Sequence, residues 1–120
     1  MSKRRILAMA LSAMATSASV HAQPADAPKS WSACAACHAV EGSAALGPSL
    51  KGVTGRKAGS LPGFKYSRAM SSSGITWDDK SLADFLASPQ KVVPGNRMPF
   101  AGISDPREVT ELVNYLKTLR

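Results

Sequence analysis

Two stretches in the second half of the chain place apolar residues at the spacing of an α-helix. The first begins near Thr76 and ends before Pro89, and its apolar positions are Leu82, Phe85 and Leu86. The second begins at Asp105, and its apolar positions are Val109, Leu112, Val113, Leu116 and Leu119. Residues three and four apart share one face of a helix, so both stretches predict helices with one buried side.

Both predicted helices begin with residues that cap helices. Thr76 is followed three residues later by Asp79, which is typical of a helix start in which the hydroxyl accepts a backbone N–H. Asp105 precedes Pro106, and the carboxylate caps while the proline suits the first turn. Two shorter helical segments are expected earlier, over Ser30 to Ala39 and over Tyr66 to Ser71.

The segment from Gly42 to Lys65 follows neither the helical nor the strand period. Its 24 residues include six glycines and two prolines. An irregular segment of this length is uncommon inside a compact domain, unless it wraps a rigid apolar body that supplies the missing core. A second extended loop, Val92 to Phe100, contains Pro94 and Pro99. The pattern therefore predicts an all-α protein of short helices and long loops.

The first 22 residues form a separate unit. Lys3-Arg4-Arg5 precede a mostly Ala, Leu and Met stretch from Ile6 to Ala18, and Val20-His21-Ala22 offer small residues for cleavage. This is the pattern of a secretory signal peptide, and an uncleaved membrane anchor would need a longer apolar run. We therefore predict a signal peptide at residues 1–22, a mature domain at residues 23–120 and a periplasmic location, with no stable membrane insertion after cleavage.

The charge of the mature domain is mildly basic. Cleavage removes three of the 15 basic residues and none of the 8 acidic ones, which leaves a net charge of +4. This surplus is too small to favour nucleic-acid binding. It suits a partner protein with a small acidic surface better.

The two cysteines of the chain lie in one motif, Cys34-Ala35-Ala36-Cys37-His38. C-x-x-C-H is typical of covalent haem c attachment, in which each thiol adds to one vinyl group and the histidine binds the iron. A thioredoxin-like pair would need a preceding strand, a zinc site would need further ligands, and a disulfide would close only a tiny loop. The haem is also the rigid apolar body that the long glycine-rich loop requires.

Signal cleavage limits the choice of a second iron ligand. The mature chain keeps one histidine, His38, and two methionines, Met70 and Met98. The sixth ligand is then a methionine, a weaker substitute such as lysine, or nothing. Met98 lies in the loop between Pro94 and Pro99, whose restricted backbone can hold a side chain in place at little entropic cost. Met70 suits core packing, because methionine fills irregular gaps.

From Gly47 onward the sequence resembles class I cytochrome c. The matching stretches are Gly47-Pro48-Ser49-Leu50, Gly55-Arg56-Lys57, Gly63-Phe64-Lys65-Tyr66, Gly74-Ile75-Thr76-Trp77 and Pro94-Gly95-Asn96-Arg97-Met98. The resemblance implies the class I cytochrome c fold, with short helices and long loops around one covalent haem. It implies that Cys34 and Cys37 hold the haem, that His38 is the proximal ligand with its second ring N–H on the Pro48 carbonyl, and that Met98 is the distal ligand. It also implies that Arg56, Tyr66 and Trp77 hold the haem propionates.

The sequence departs from this family at three places. The family packs a glycine and an aromatic residue against its last helix, but the matching positions here are Asp26 and Ser30. Trp31, one residue later, is expected to substitute. Near the distal ligand the family often has a tyrosine, an asparagine and a threonine, and the matching positions here are Phe85, Met70 and Asn96. This polar network is therefore mostly lost. Of the docking lysines, Lys91 and Arg97 keep a positive charge.

These observations favour a periplasmic one-electron carrier with a His/Met-ligated haem c. Its partners would be redox proteins: a donor dehydrogenase or reductase, and an acceptor oxidase or another cytochrome. The chain would not be an enzyme, because no histidine remains as a general base once His38 binds iron. One alternative is the cytochrome subunit of a specific periplasmic dehydrogenase complex. A second is a five-coordinate haem enzyme or gas sensor, which Met98 argues against.

Overall fold

The computed structural model describes residues 27–41 and 46–120. Its helices in chain order are α1 (Trp31–Ala35), α2 (Arg68–Ser71), α3 (Asp79–Ala87), α4 (Pro89–Val92) and α5 (Pro106–Leu116). Within these two ranges there is no strand, and an isolated β-bridge joins Lys57 to Thr76. The predicted all-α class is confirmed. The predicted signal peptide at residues 1–22 lies outside the described residues.

Helices α3 and α5 form where the sequence predicts them, but α3 is capped by a different residue. Asp78 accepts a hydrogen bond from the Ser81 backbone N–H at 2.7 Å, and the Ser81 hydroxyl accepts one from the Asp78 N–H at 2.8 Å. The prediction that Thr76 caps this helix is wrong. The backbone of Thr76 pairs with Lys57 instead, and the carboxylate that directly precedes the helix is the cap.

Helix α5 starts as predicted and buries its apolar face. Asp105 Oδ1 accepts a hydrogen bond from Arg107 N at 2.9 Å, and Pro106 is the first helical residue. The buried residues of this helix are Val109, Leu112, Val113, Tyr115 and Leu116. An ion pair of 2.7 Å between Lys117 and Asp79 joins the end of α5 to the start of α3. The two helices therefore pack together around a shared apolar core.

Helix α1 is shorter than the predicted span of Ser30 to Ala39. It ends at Ala35, because the following backbone turns back, with the N–H groups of Cys37 and His38 both bonded to the Cys34 carbonyl. Trp31 packs edge-on against Tyr115 of α5, with ring centroids 4.9 Å apart. The expectation that Trp31 substitutes in packing against the last helix is confirmed. The cysteine motif therefore begins on α1 and continues into the turn after it.

The described part of the long glycine-rich segment, residues 46–65, contains no helix, as predicted. Backbone hydrogen bonds attach its middle part to residues next to α3 and α5. Gly52 N donates to Leu119 O, Gly55 N donates to Trp77 O, and Trp77 N donates to Arg56 O at 2.9 Å. The loop is therefore fixed over residues 52–56. Among the described helices, none has the length and apolar character needed to cross a bilayer.

Candidate functional site

One cavity of about 680 Å³ lies between the loops and the helices. Its volume is within the range of about 300–1,000 Å³ that is typical of ligand sites. The structure brings all eight residues that the sequence singled out to its wall. These residues are Cys34, Cys37, His38, Pro48, Arg56, Tyr66, Trp77 and Met98. Residues far apart in the chain thus meet around one space large enough for a cofactor.

The two cysteines stand at the cavity wall as separate thiols. They form no disulfide, and the Cys34 sulfur lies 3.9 Å from the Ser30 carbonyl oxygen. Burial raises the pKa of the Cys34 thiol above its ordinary value. Within residues 27–41 and 46–120, no group of three or more His, Cys, Asp or Glu side chains converges on a metal-binding point. The arrangement suits two separate thioether bonds to one cofactor.

The ring of His38 is held by its neighbours in the Gly47–Pro48 turn. Its Nδ1 lies 2.7 Å from the Pro48 carbonyl oxygen. A carbonyl oxygen only accepts, so Nδ1 carries the proton, and the lone pair of Nε2 is left for a metal. A Cβ atom on Gly47 would lie 2.6 Å from the ring Cε1. Glycine at this position therefore leaves room for the imidazole.

Arg56, Tyr66 and Trp77 approach the cavity from the loop side. Arg56 is half-buried, and its guanidinium donates to the Ser49 carbonyl at 2.8 Å. The Tyr66 ring packs edge-on against Phe64 at 4.8 Å, and the Trp77 ring packs against Phe85 at 5.0 Å. A charged donor and two aromatic residues with polar tips thus share this wall, a set that can stabilise buried carboxylates.

Both candidate methionines line the same cavity, but they differ in their setting. Met70 lies on α2. Met98 lies in the loop after α4, and its backbone N–H donates to Asn96 Oδ1 at 3.0 Å. Arg97, directly before Met98, is exposed and donates to the Lys65 carbonyl at 2.8 Å. This bond joins the loop of Met98 to the glycine-rich loop.

Two residues at the site carry roles that sequence reasoning missed. The resemblance includes Gly47 without giving it a role, although its place directly before Pro48 is a signal of close backbone approach. It includes Asn96 in a matching stretch and at a polar position near the distal ligand, and again implies no contact for it. In the structure its side chain is buried and bonded to backbone groups, which no sequence signal indicates.

The fold and the cavity define a small protein built around a single covalent haem. A family model described as cytochrome c matches residues 25–120. The chain is 52% identical over 97 residues to cytochrome c2 iso-2 of Magnetospirillum molischianum, with 80% of this chain and all of that one covered. It is 49% identical to cytochrome c of Tetrahymena pyriformis, with coverage of 73% and 80%. Its fold is similar to the solved structure of cytochrome cH from Methylobacterium extorquens, with a TM-score of 0.72, 48% identity and coverage of 75% and 92%.

The chain belongs to the cytochrome c family. It has the class I fold and carries one covalently attached haem c, as the sequence predicted. The protein is an electron carrier with redox partners and is not an enzyme. The residues around the cavity fit this cofactor, because they combine two thiols, an imidazole with a free Nε2 and a mostly apolar wall.

Proposed function

We propose that this cytochrome c is a periplasmic one-electron carrier in which His38 and Met98 are the axial ligands. The observation that carries the proposal is the hydrogen bond of 2.7 Å between His38 Nδ1 and the Pro48 carbonyl, which leaves the lone pair of Nε2 free for iron, in a residue that lines the same cavity as Met98. The haem iron would supply the one-electron redox change. If His38 and Met98 both bind the iron, no position would be left for a substrate.

The remaining residues of the cavity would hold and orient the cofactor. Cys34 and Cys37 would bind its two vinyl groups as thioethers. Arg56, Tyr66 and Trp77 would hold its propionates, because buried carboxylates need charged or hydrogen-bonding partners. The soft thioether of Met98 favours ferrous iron, so it would raise the reduction potential.

The proposed partner carries an acidic surface. Residues 46–77 include five basic residues and no acidic ones. Lys65, Arg68, Lys91 and Arg97 are exposed, and Lys65 and Arg97 also line the cavity. A positive surface beside the haem would steer a negative partner toward the point of electron transfer. The signal-peptide pattern at residues 1–22 supports placing this exchange in the periplasm.

Substitution of the two methionines tests the ligand assignment. Met98→Ala should abolish the weak near-infrared band of sulfur-ligated ferric haem, lower the reduction potential and allow carbon monoxide to bind ferrous iron. Met70→Leu is the matched control, since near-isosteric swaps usually cost less than about 1.5 kcal/mol, and it should keep the band. A band that survives in Met98→Ala and disappears in Met70→Leu would show that the ligand assignment is wrong.

Salt dependence of electron transfer tests the partner. The second-order rate with the native partner should fall as ionic strength rises past about 0.1 M, where the screening length is about 10 Å. Arg97→Gln should weaken this dependence, whereas Arg120→Gln, at a residue that is exposed and does not line the cavity, should leave it unchanged. A rate that does not respond to salt would favour the fixed subunit of a dehydrogenase complex over a free carrier.

A further inference from the structure

Asn96 is the one buried polar or charged residue in the described part of the chain, with 6% of its surface exposed. Every polar group of its carboxamide is bonded to the backbone. Nδ2 donates to the Pro89 carbonyl at 3.0 Å and to the Val93 carbonyl at 2.9 Å, and Oδ1 accepts from Met98 N at 3.0 Å. A single side chain therefore joins the start of α4, its end and the backbone of Met98.

A second amide side chain holds the same loop from the outside. Gln90 Nε2 donates to the Asn96 carbonyl at 2.9 Å, and Gln90 Oε1 accepts from Gly95 N at 3.2 Å. Gln90 is exposed, so water can replace these bonds. Asn96 is buried, so losing its side chain leaves the Met98 N–H without its acceptor, which costs more, whereas the Pro89 and Val93 carbonyls keep backbone donors.

We propose that Asn96 is a positioning residue that holds the Met98 backbone in place and thereby resists replacement of Met98 by external ligands. This inference rests on the proposed ligation by Met98. For Met98 to leave the iron, its loop must move, and the three bonds of the Asn96 side chain oppose that movement. The same side chain lines the cavity, so its position and that of Met98 are coupled.

The bonds of Asn96 set the size of the expected effect. The loss of one hydrogen bond changes an equilibrium constant by about two- to tenfold, and a backbone N–H left without an acceptor changes it by more. Met98 N–H has Asn96 Oδ1 as its hydrogen-bond acceptor. Removing this acceptor therefore favours the state in which the loop is open and an external ligand occupies the iron.

Imidazole binding to the ferric holoprotein tests the proposal. Asn96→Ala should bind imidazole about tenfold or more tightly than the unaltered protein. Asn96→Ser should recover part of the difference, because a hydroxyl can accept the Met98 N–H. Gln90→Ala should bind only about two- to threefold more tightly, because its bonds are exposed. If Asn96→Ala does not fold, Asn96→Ser and Gln90→Ala carry the test.

Two controls separate positioning from general stability. Asn114→Ala removes the other asparagine of the chain, which is exposed on α5, and should leave the imidazole affinity unchanged. Val109→Ala should lower the midpoint of urea unfolding, because Val109 is buried, and should also leave the imidazole affinity unchanged. Imidazole affinities that follow overall stability across all these variants would overturn the proposal.

The unaltered protein separates the two possible failures. A ferric holoprotein without the near-infrared band overturns Met98 ligation, and the positioning role of Asn96 falls with it. A holoprotein that shows the band, with Asn96→Ala and Asn96→Ser at the unaltered imidazole affinity, leaves Met98 as the ligand and overturns only the role of Asn96.

Discussion

The helix pair α3 and α5 and the loop of residues 46–67 differ in what covers their apolar side chains. Leu112 on α5 is completely buried by protein atoms, and Val113 is 5% exposed. The loop instead turns Leu50 and Phe64 to the cavity wall, where protein atoms leave both half-buried. The helix pair has a core at Leu112 and Val113 that does not line the cavity, whereas the loop depends on the cofactor to cover its apolar side chains. This difference teaches that the haem matters most for the structure of the loop.

The largest expected effect follows from removing the haem. The variant with Cys34→Ser and Cys37→Ser should lack covalent haem and show no cooperative thermal transition by far-ultraviolet circular dichroism. The reason is that the cavity of about 680 Å³ loses its filler, and cofactor binding energy is folding energy. Limited proteolysis should cut within residues 46–67. A cooperative transition in this apo-protein, with residues 46–67 protected from proteolysis, would contradict the dependence of the loop on haem.

A core substitution on the helix pair should have the next largest effect. Leu112→Ala should lower the free energy of unfolding of the holoprotein by about 2–5 kcal/mol, because it leaves a cavity among packed side chains. Urea unfolding measures the loss. Glu111→Ala, an exposed neighbour on the same helix, should change the value by less than about 0.5 kcal/mol. Equal losses in the two variants would show that α5 does not bury this face.

Two glycines of the loop form a matched pair. Both have positive φ angles, 72° at Gly59 and 82° at Gly63, where a side chain costs about 1–2 kcal/mol. A Cβ on Gly59 would also lie 2.6 Å from the Ser71 Cα, whereas one on Gly63 would meet open space. Gly59→Ala should therefore destabilise the holoprotein more than Gly63→Ala in urea unfolding. The opposite order would mean that the loop does not pack against α2.

The smallest expected effect is the pH dependence of the stabilisation that Asp78 gives to the start of α3. Hydrogen bonds from the backbone and side chain of Ser81 lower the pKa of Asp78 below its ordinary value. A lowered pKa in the folded state means that the carboxylate stabilises the fold above its ordinary pKa of about 4, and that this contribution is lost as pH falls through the lowered value. Asp78→Asn should thus have a lower urea midpoint than the unaltered protein at neutral pH, and the difference should shrink in acid. A difference that grows in acid would contradict a lowered pKa of Asp78 in the folded state.

The sequence predicted α5 and the interior of α3 well, because the spacing of the apolar residues determines which face of a helix is buried. It also predicted the residues around the cavity, because the cysteine motif and the resemblance both depend on fixed spacing. It did not predict that α1 ends at Ala35 or that Asp78 replaces Thr76 as a cap. Those outcomes depend on competing backbone bonds from distant segments. The contacts of Asn96 depend in the same way on the path of the loop, which leaves no periodic signal.

The edge contact between Trp31 and Tyr115 also has a kinetic consequence. It joins the first described helix to the last one, so it closes residues 31–115 into a single loop. Contacts at such long sequence separation form late, because the entropy of closing the loop must be lost before the contact contributes. A late contact between Trp31 and Tyr115 leaves α1 without its C-terminal partner during most of folding. We therefore expect the thiols of Cys34 and Cys37 to stay accessible for haem attachment until α1 packs against α5.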